Sequence, residues 1–164
     1  MPLSFETISL DRQKDYLDLL ARCPQVASDY SFLNIWAWAE DYGLRWAWDG
    51  KLAWIKQTRP QEALWAPVGP WGAVDWESHL PSVQSGGGVF IRVPEQLAEI
   101  WQSRFGERVV VAPERGHWDY LYAVSDLVDL PGNRFHNKKN LLNQFLKSYE
   151  FTYVDFGPKL IEQA

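Results

Sequence analysis

Leu44-Arg45-Trp46-Ala47-Trp48-Asp49-Gly50-Lys51-Leu52-Ala53-Trp54-Ile55-Lys56-Gln57 reads as a β-hairpin, two apolar runs joined by an Asp-Gly pair. That pair is the strongest short hairpin signal because both residues tolerate the positive φ of the favoured turns. A two-residue turn pairs Trp48 with Lys51 and Trp46 with Ala53. One face then carries Leu44, Trp46, Trp48, Ala53 and Ile55, and the other Ala47, Leu52 and Trp54. Both faces are apolar, so the sheet is expected to be covered on both sides. An aromatic carbohydrate-binding platform would need Trp46 and Trp48 exposed; core packing is the plainer use of large rings.

Upstream, Phe5 to Leu10 alternates like a short strand, and Asp11 is placed to cap a helix running to about Arg22, before Pro24. Ser31 is a second N-cap, for a helix through Asp41 that ends at Gly43. On it Phe32, Ile35, Trp36 and Ala39 share one face. Downstream, Ala66-Pro-Val-Gly-Pro-Trp-Gly72 is a loop, and Asp75 caps a short helix ending near Pro81. Ser85-Gly-Gly-Gly88 is a turn before a strand at Val89 to Val93. Pro94 opens a helix with Leu97, Ile100 and Trp101 on one side, and Gly106 closes it. Val109 to Val111, Trp118 to Val124 and Phe151 to Asp155 read as further strands, and Asn133 to Tyr149 as the last helix. Strands alternating with helices around an antiparallel hairpin make a mixed α/β (α+β) domain.

Composition bounds the function without naming it. The 164 residues are 46% hydrophobic, 15% aromatic and 23% charged, with ten tryptophans. This is a globular composition, and no apolar run reaches the ~18 residues of a membrane span. The N-terminus shows no signal peptide, so a cytoplasmic location is expected. One cysteine, Cys23, and three histidines leave no disulfide framework or closed zinc site, and no metal is expected. The phosphate-binding loop G-x-x-x-x-G-K-[ST] and the G-x-S-x-G elbow are both absent. Cys23 before Pro24 reads as a small buried side chain rather than a nucleophile.

The net charge of −5 is unevenly spread. Residues 1–132 hold 11 basic and 18 acidic side chains, whereas residues 133–149 hold Arg134, Lys138, Lys139 and Lys147 and no acid. On the last helix Leu142, Phe145, Leu146 and Tyr149 form an apolar stripe. His136, Lys139, Asn140, Asn143 and Lys147 fall on the other face, all basic or amide. Such a surface can neutralise and hydrogen-bond phosphate. Arg134, His136, Lys138, Lys139, Asn140, Asn143 and Lys147 are therefore the candidate anion-binding residues; no catalytic residue stands out.

Asp119-Tyr-Leu-Tyr-x-Val-x-Asp-Leu, followed by Leu130-x-Gly132-x-x-x-His136-x-Lys138-Lys139-Asn140-x-x-x-x-Phe145, resembles the phosphatidylglycerol lysyltransferase C-terminal domain family. Ser28-Asp-Tyr-Ser-Phe-Leu-Asn-Ile-Trp36 and Ala66-Pro-Val-Gly69 resemble its pattern as well. The resemblance implies a GNAT-like, mainly antiparallel sheet with helices on both faces. It also implies kinship with transferases that move an amino acid from aminoacyl-tRNA to a lipid or peptide. Two positions depart from the pattern: Asn137 stands where a basic residue is usual, and Lys139 where arginine is common. Lysine lacks the bidentate fork of a guanidinium. The acetyl-CoA signature Q/R-x-x-G-x-G/A is missing, so no CoA cofactor is expected and aminoacyl-tRNA is the expected donor.

Larger members carry two such units. Residues 1–150 are expected to be one GNAT-like domain and residues 151–164 a C-terminal strand leading into a second unit beyond this chain. The expected partners are aminoacyl-tRNA or another phosphate-bearing anion, and a second GNAT unit or a second copy of the chain. The competing expectation is a non-catalytic structural or interaction module of the same fold.

Overall fold

The computed structural model describes residues 3–83 and 88–163. Most of the Ser85–Gly88 turn lies outside the described residues. Two compact units emerge, Met1–Asp119 and Tyr120–Ala164, so their boundary falls inside the 1–150 span read from sequence as one domain.

The first unit is built on a five-stranded sheet ordered β1 (Glu6–Thr7), β2 (Arg45–Trp48), β3 (Ala53–Gln57), β4 (Ala63–Trp65) and β5 (Phe90–Ile91). Every neighbouring pair is antiparallel except β4 and β5, which run parallel. Its helices are α1 (Gln13–Leu20), α2 (Phe32–Ala37), α3 (Trp76–Val83) and α4 (Glu95–Phe105). The second unit holds α5 (Val124–Asp129) and α6 (His136–Ser148).

The hairpin forms with its register displaced. Trp48 pairs with Ala53 and Trp46 with Ile55, two residues along from the pairing that a two-residue turn gives. The cause is Asp49. Its carboxylate accepts the N–H groups of Lys51 (2.9 Å) and Leu52 (2.8 Å) and the Trp54 indole N–H (2.9 Å), winding Asp49 to Leu52 into a four-residue loop. A displacement of two leaves each side chain on its expected face, since the side-chain period is two. Removing this acceptor by Asp49→Ala is expected to cost about 2 kcal/mol, the sum of a few net hydrogen bonds. The urea midpoint of the fluorescence transition measures it. Gly50→Ala, at φ +88 but with open space around its Cβ, should cost only about 1 kcal/mol.

Both faces of the sheet are covered. On one, Trp46 packs on Tyr16 of α1 and Phe32 of α2, with ring centroids 6.0 and 6.4 Å away. Trp65 on the same face meets the Tyr30 ring edge-on at 5.7 Å. On the other, Phe90 packs on Trp101 of α4 at 4.8 Å, and Trp101 on Trp76 of α3 at 5.5 Å. Gln57 is buried, but it accepts the Trp65 indole N–H at 3.1 Å and donates to the Gln61 carbonyl at 3.4 Å.

Several local expectations need correction. Asp11 caps nothing; it lies in a 3-10 turn, Leu10–Arg12, that leads into α1. Ser31 does cap α2, accepting the Asn34 N–H. That helix stops at Ala37, and residues 38–42 turn towards Gly43, whose φ is +58. Trp36 consequently stays exposed while Phe32 and Ile35 are buried. Residues 109–111, 118–122 and 151–155 form no strand. These apolar stretches have no neighbouring strand to supply ladder hydrogen bonds, and Val110, Tyr120 and Tyr153 stand in solvent. Where the Trp118–Val124 strand was expected to finish, α5 begins instead.

Candidate functional site

The Asn133–Tyr149 helix is present as a 3-10 turn, Asn133–Phe135, running into the 13 residues of α6. All seven candidate anion-binding residues are exposed. At about 100° per residue, His136, Lys139, Asn140, Asn143 and Lys147 converge on one face of α6. The Asn140 amide nitrogen lies 3.1 Å from His136 Nε2. Lys139 and Lys147 have no carboxylate within ion-pair distance among the described residues. This face therefore presents two unneutralised ammonium groups interleaved with amides, the chemistry that holds a phosphate or a carboxylate.

Two of the seven do not join it. Arg134 precedes α6, is ion-paired with Asp126 and lies over the Phe135 ring, 4.7 Å from its centroid. Its charge is already balanced. Lys138 sits about 200° round the helix from His136, on the side of Leu142 and Phe145. The four-cation block of the sequence thus divides into two cations on the amide face, one on the apolar face and one paired.

The first unit explains why the other quoted segments belong together. Asp119 accepts the Ser28 backbone N–H at 2.8 Å and its hydroxyl at 2.5 Å, and Asn34 donates to the Ser28 carbonyl at 2.8 Å. Ser28, Asn34 and Asp119 all lie in quoted motifs, so these motifs are at least partly a structural clasp. Beside it Arg92, at φ +56, is ion-paired with Asp29 and stacks on Trp65 at 4.7 Å. Nothing in the sequence around Arg92 signals this; its left-handed backbone is visible only in the fold. An open groove of about 380 Å³, lined by Trp71, Trp76, Gln96, Glu99, Ser103 and Arg104, also escaped sequence reasoning because its walls come from distant segments.

Other reactive side chains are occupied. Cys23 accepts the Gly69 N–H at 3.0 Å, and burial pushes its thiol up, so it is held as the unreactive thiol. His79 Nδ1 lies 2.9 Å from the Asp75 carbonyl, and its Nε2 lies 3.9 Å from Asp49. Trp46 is wholly buried and Trp48 is half-buried under the Arg12 guanidinium, 4.0 Å from its centroid, which removes the carbohydrate platform. Among the described residues no group of three or more His, Cys, Asp or Glu is placed to hold a metal ion. No helix there is long and apolar enough to cross a membrane.

The family model described as "Phosphatidylglycerol lysyltransferase, C-terminal" matches residues 20–164. The chain belongs to this family. The matched span includes the Ser28–Trp36 segment, the Asp119 clasp and all of α6. No curated protein matches the chain. Among solved structures it is similar to a conserved protein of unknown function from Bacteroides thetaiotaomicron VPI-5482, at 22% identity and a TM-score of 0.73. That likeness extends over 98% of this chain, so the mixed α/β fold is shared throughout. The chain spans 56% of the length of that structure.

Proposed function

We propose that this chain is one unit of an aminoacyltransferase-like protein, and that the amide face of α6 holds the phosphate of a donor or acceptor. The observation that carries this reading is the pair Lys139 and Lys147, unpaired on a face otherwise made of His136, Asn140 and Asn143. Membership of a lysyltransferase C-terminal family supplies the chemical class. The α6 residues have a binding role, orienting and neutralising phosphate, and no proton transfer is assigned to them. Aminoacyl-tRNA is the proposed donor, an anionic lipid the proposed acceptor, and the cytoplasmic side the proposed location.

A titration of the full chain with aminoacyl-tRNA, anionic vesicles and CoA, at low and moderate salt, tests this directly. Binding to one of the first two should weaken as salt rises, because cation–phosphate contacts release counterions. Lys139→Ala/Lys147→Ala should weaken it about 10-fold or more, and Lys138→Ala should do much less, since that side chain faces away. Equal effects of the two changes, or no binding to any of the three, would defeat the reading.

A non-catalytic interaction module is the second reading. It is favoured by the Ser28–Asn34–Asp119 clasp, where residues of the quoted motifs bond to one another. Specific binding without amino-acid transfer by the isolated chain supports the module.

A further inference from the structure

We propose that the Ser28–Asp119 clasp is a releasable latch. Closed, it fastens residues 110–118 to the first unit; open, it adds them to the tether that leads to the second. Asp119 is the last residue of the first unit, so the latch holds the point from which the chain continues. The Ser28 half is firmly anchored. Ser28 opens a 3-10 turn, Ser28–Tyr30, and its carbonyl accepts the Asn34 amide at 2.8 Å. Asp29 is ion-paired with Arg92, whose side chain is only 13% exposed, and Tyr30 is buried in the core. The Asp119 half is not anchored in this way. Residues 110–118 hold a single 3-10 turn, Arg115–His117. Among the described residues, the hydrogen bonds of this stretch stay inside it, from Gly116 and His117 to Glu114 and from Trp118 to Arg115. Val109, packed against the core, marks one end, and Asp119 on Ser28 the other.

Magnitudes make the latch releasable. The Ser28 N–H and hydroxyl end on separate oxygens of one carboxylate, at 2.8 and 2.5 Å. That N–H is an orphan donor at the start of a helical turn, and Asp119 caps it from 91 residues away. Both bonds are exposed, so water replaces them on opening, and each favours the closed form by only about 10-fold. Closing a loop of about ten residues opposes them by a factor of roughly 30. Two such bonds against one closure leave the closed form ahead by a small factor, and both forms are populated. Opening releases up to about 30 Å of chain. A longer tether lowers the effective concentration of the second unit around the first. The latch thus sets how far the α6 face can range, whatever that face binds.

Backbone NMR relaxation on the isotope-labelled full chain tests this. Microsecond-to-millisecond exchange is expected at Ser28 and residues 110–118, and not in α1 or α4. Ser28→Ala keeps the backbone donor and should move the population towards the open form about 10-fold. Asp119→Ala removes both bonds. It should abolish the exchange and bring the order parameters of residues 110–118 below roughly 0.6. Adding Ser28→Ala to Asp119→Ala should then change nothing further, because the pair acts as one device. The urea midpoint of the first unit should hold its wild-type value in all three variants, since no core side chain is touched. A wild-type stretch without exchange, or one that stays ordered in Asp119→Ala, would overturn the proposal, because something other than the latch would then hold it. So would a midpoint that falls with each substitution, which would make the pair a support of the core, or a further effect of Ser28→Ala in the Asp119→Ala background.

Discussion

Trp46→Ala lowers the unfolding free energy of the first unit by about 3–5 kcal/mol, the usual loss on truncating a buried aromatic. Trp46 is fully excluded from solvent, and its ring meets those of Tyr16, Phe32 and Trp48. Alanine there uncouples α1, α2 and β2 together, and little can collapse into a space walled by three other rings. Against a total stability of about 5–15 kcal/mol, that loss is close to unfolding. Trp46→Phe should cost markedly less, for two reasons. Phenylalanine keeps most of the ring contact, and it removes an indole N–H that has no hydrogen-bond partner. Trp36→Ala, at an exposed position, should change stability by less than about 1 kcal/mol. All ten tryptophans lie in the first unit, so fluorescence-detected urea unfolding reads this transition. Equal costs at positions 36 and 46 would mean that the sheet face is not the core described.

The hairpin was legible because Asp49-Gly50 and the alternation on either side say the same thing. Its register was not, because three bonds to one carboxylate outweigh the preference of a two-residue turn. The helices at Ser31, Pro94 and Asn133 were legible from a capping serine, an opening proline and amphipathic spacing. The strands expected at 109–111, 118–124 and 151–155 failed for one common reason. An apolar run or alternation reports that a segment has apolar side chains to bury, and a strand also needs a neighbour to bond, which no local pattern supplies.

The candidate face of α6 divides along similar lines. Helical spacing puts His136, Lys139, Asn140, Asn143 and Lys147 on one face, and α6 is helical over all five. Counting charge along the chain did not separate them from Lys138, because proximity in sequence is not proximity around a helix. Arg134 was lost to Asp126, eight residues earlier, across a turn whose path the sequence does not show. The Ser28–Asp119 clasp joins residues 91 apart, visible beforehand only as two motifs that travel together.

Raising the pH from 8 to 11 should unfold the first unit more effectively than any single surface substitution. Tyr16 donates its hydroxyl to the Tyr30 carbonyl at 2.8 Å, and Tyr30 donates to the Arg92 carbonyl at 2.9 Å. Burial is the main cause that holds both phenols above their ordinary value, and so neutral in the folded chain. In the unfolded chain they ionise near pH 10. A folded-state value raised above the unfolded one gives stability that is complete below about pH 10. It is lost as pH rises further, because the unfolded chain then binds fewer protons. Each tyrosine contributes a slope of about 1.4 kcal/mol per pH unit, and the two together about 2.7. Cys23, also raised by burial, begins the decline from nearer its ordinary value of 9.0. Melting temperatures at pH 8, 10 and 11 should be nearly level at first and then fall steeply. Tyr30→Phe should be less stable at pH 8, having lost the bond to Arg92, yet its decline above pH 10 should be shallower by about 1.4 kcal/mol per pH unit, one tyrosine's share. Lysine deprotonation on the surface acts on both proteins alike and cannot change the difference between their slopes. Parallel decline of the two proteins would place the alkaline sensitivity elsewhere and remove the buried phenols as its source.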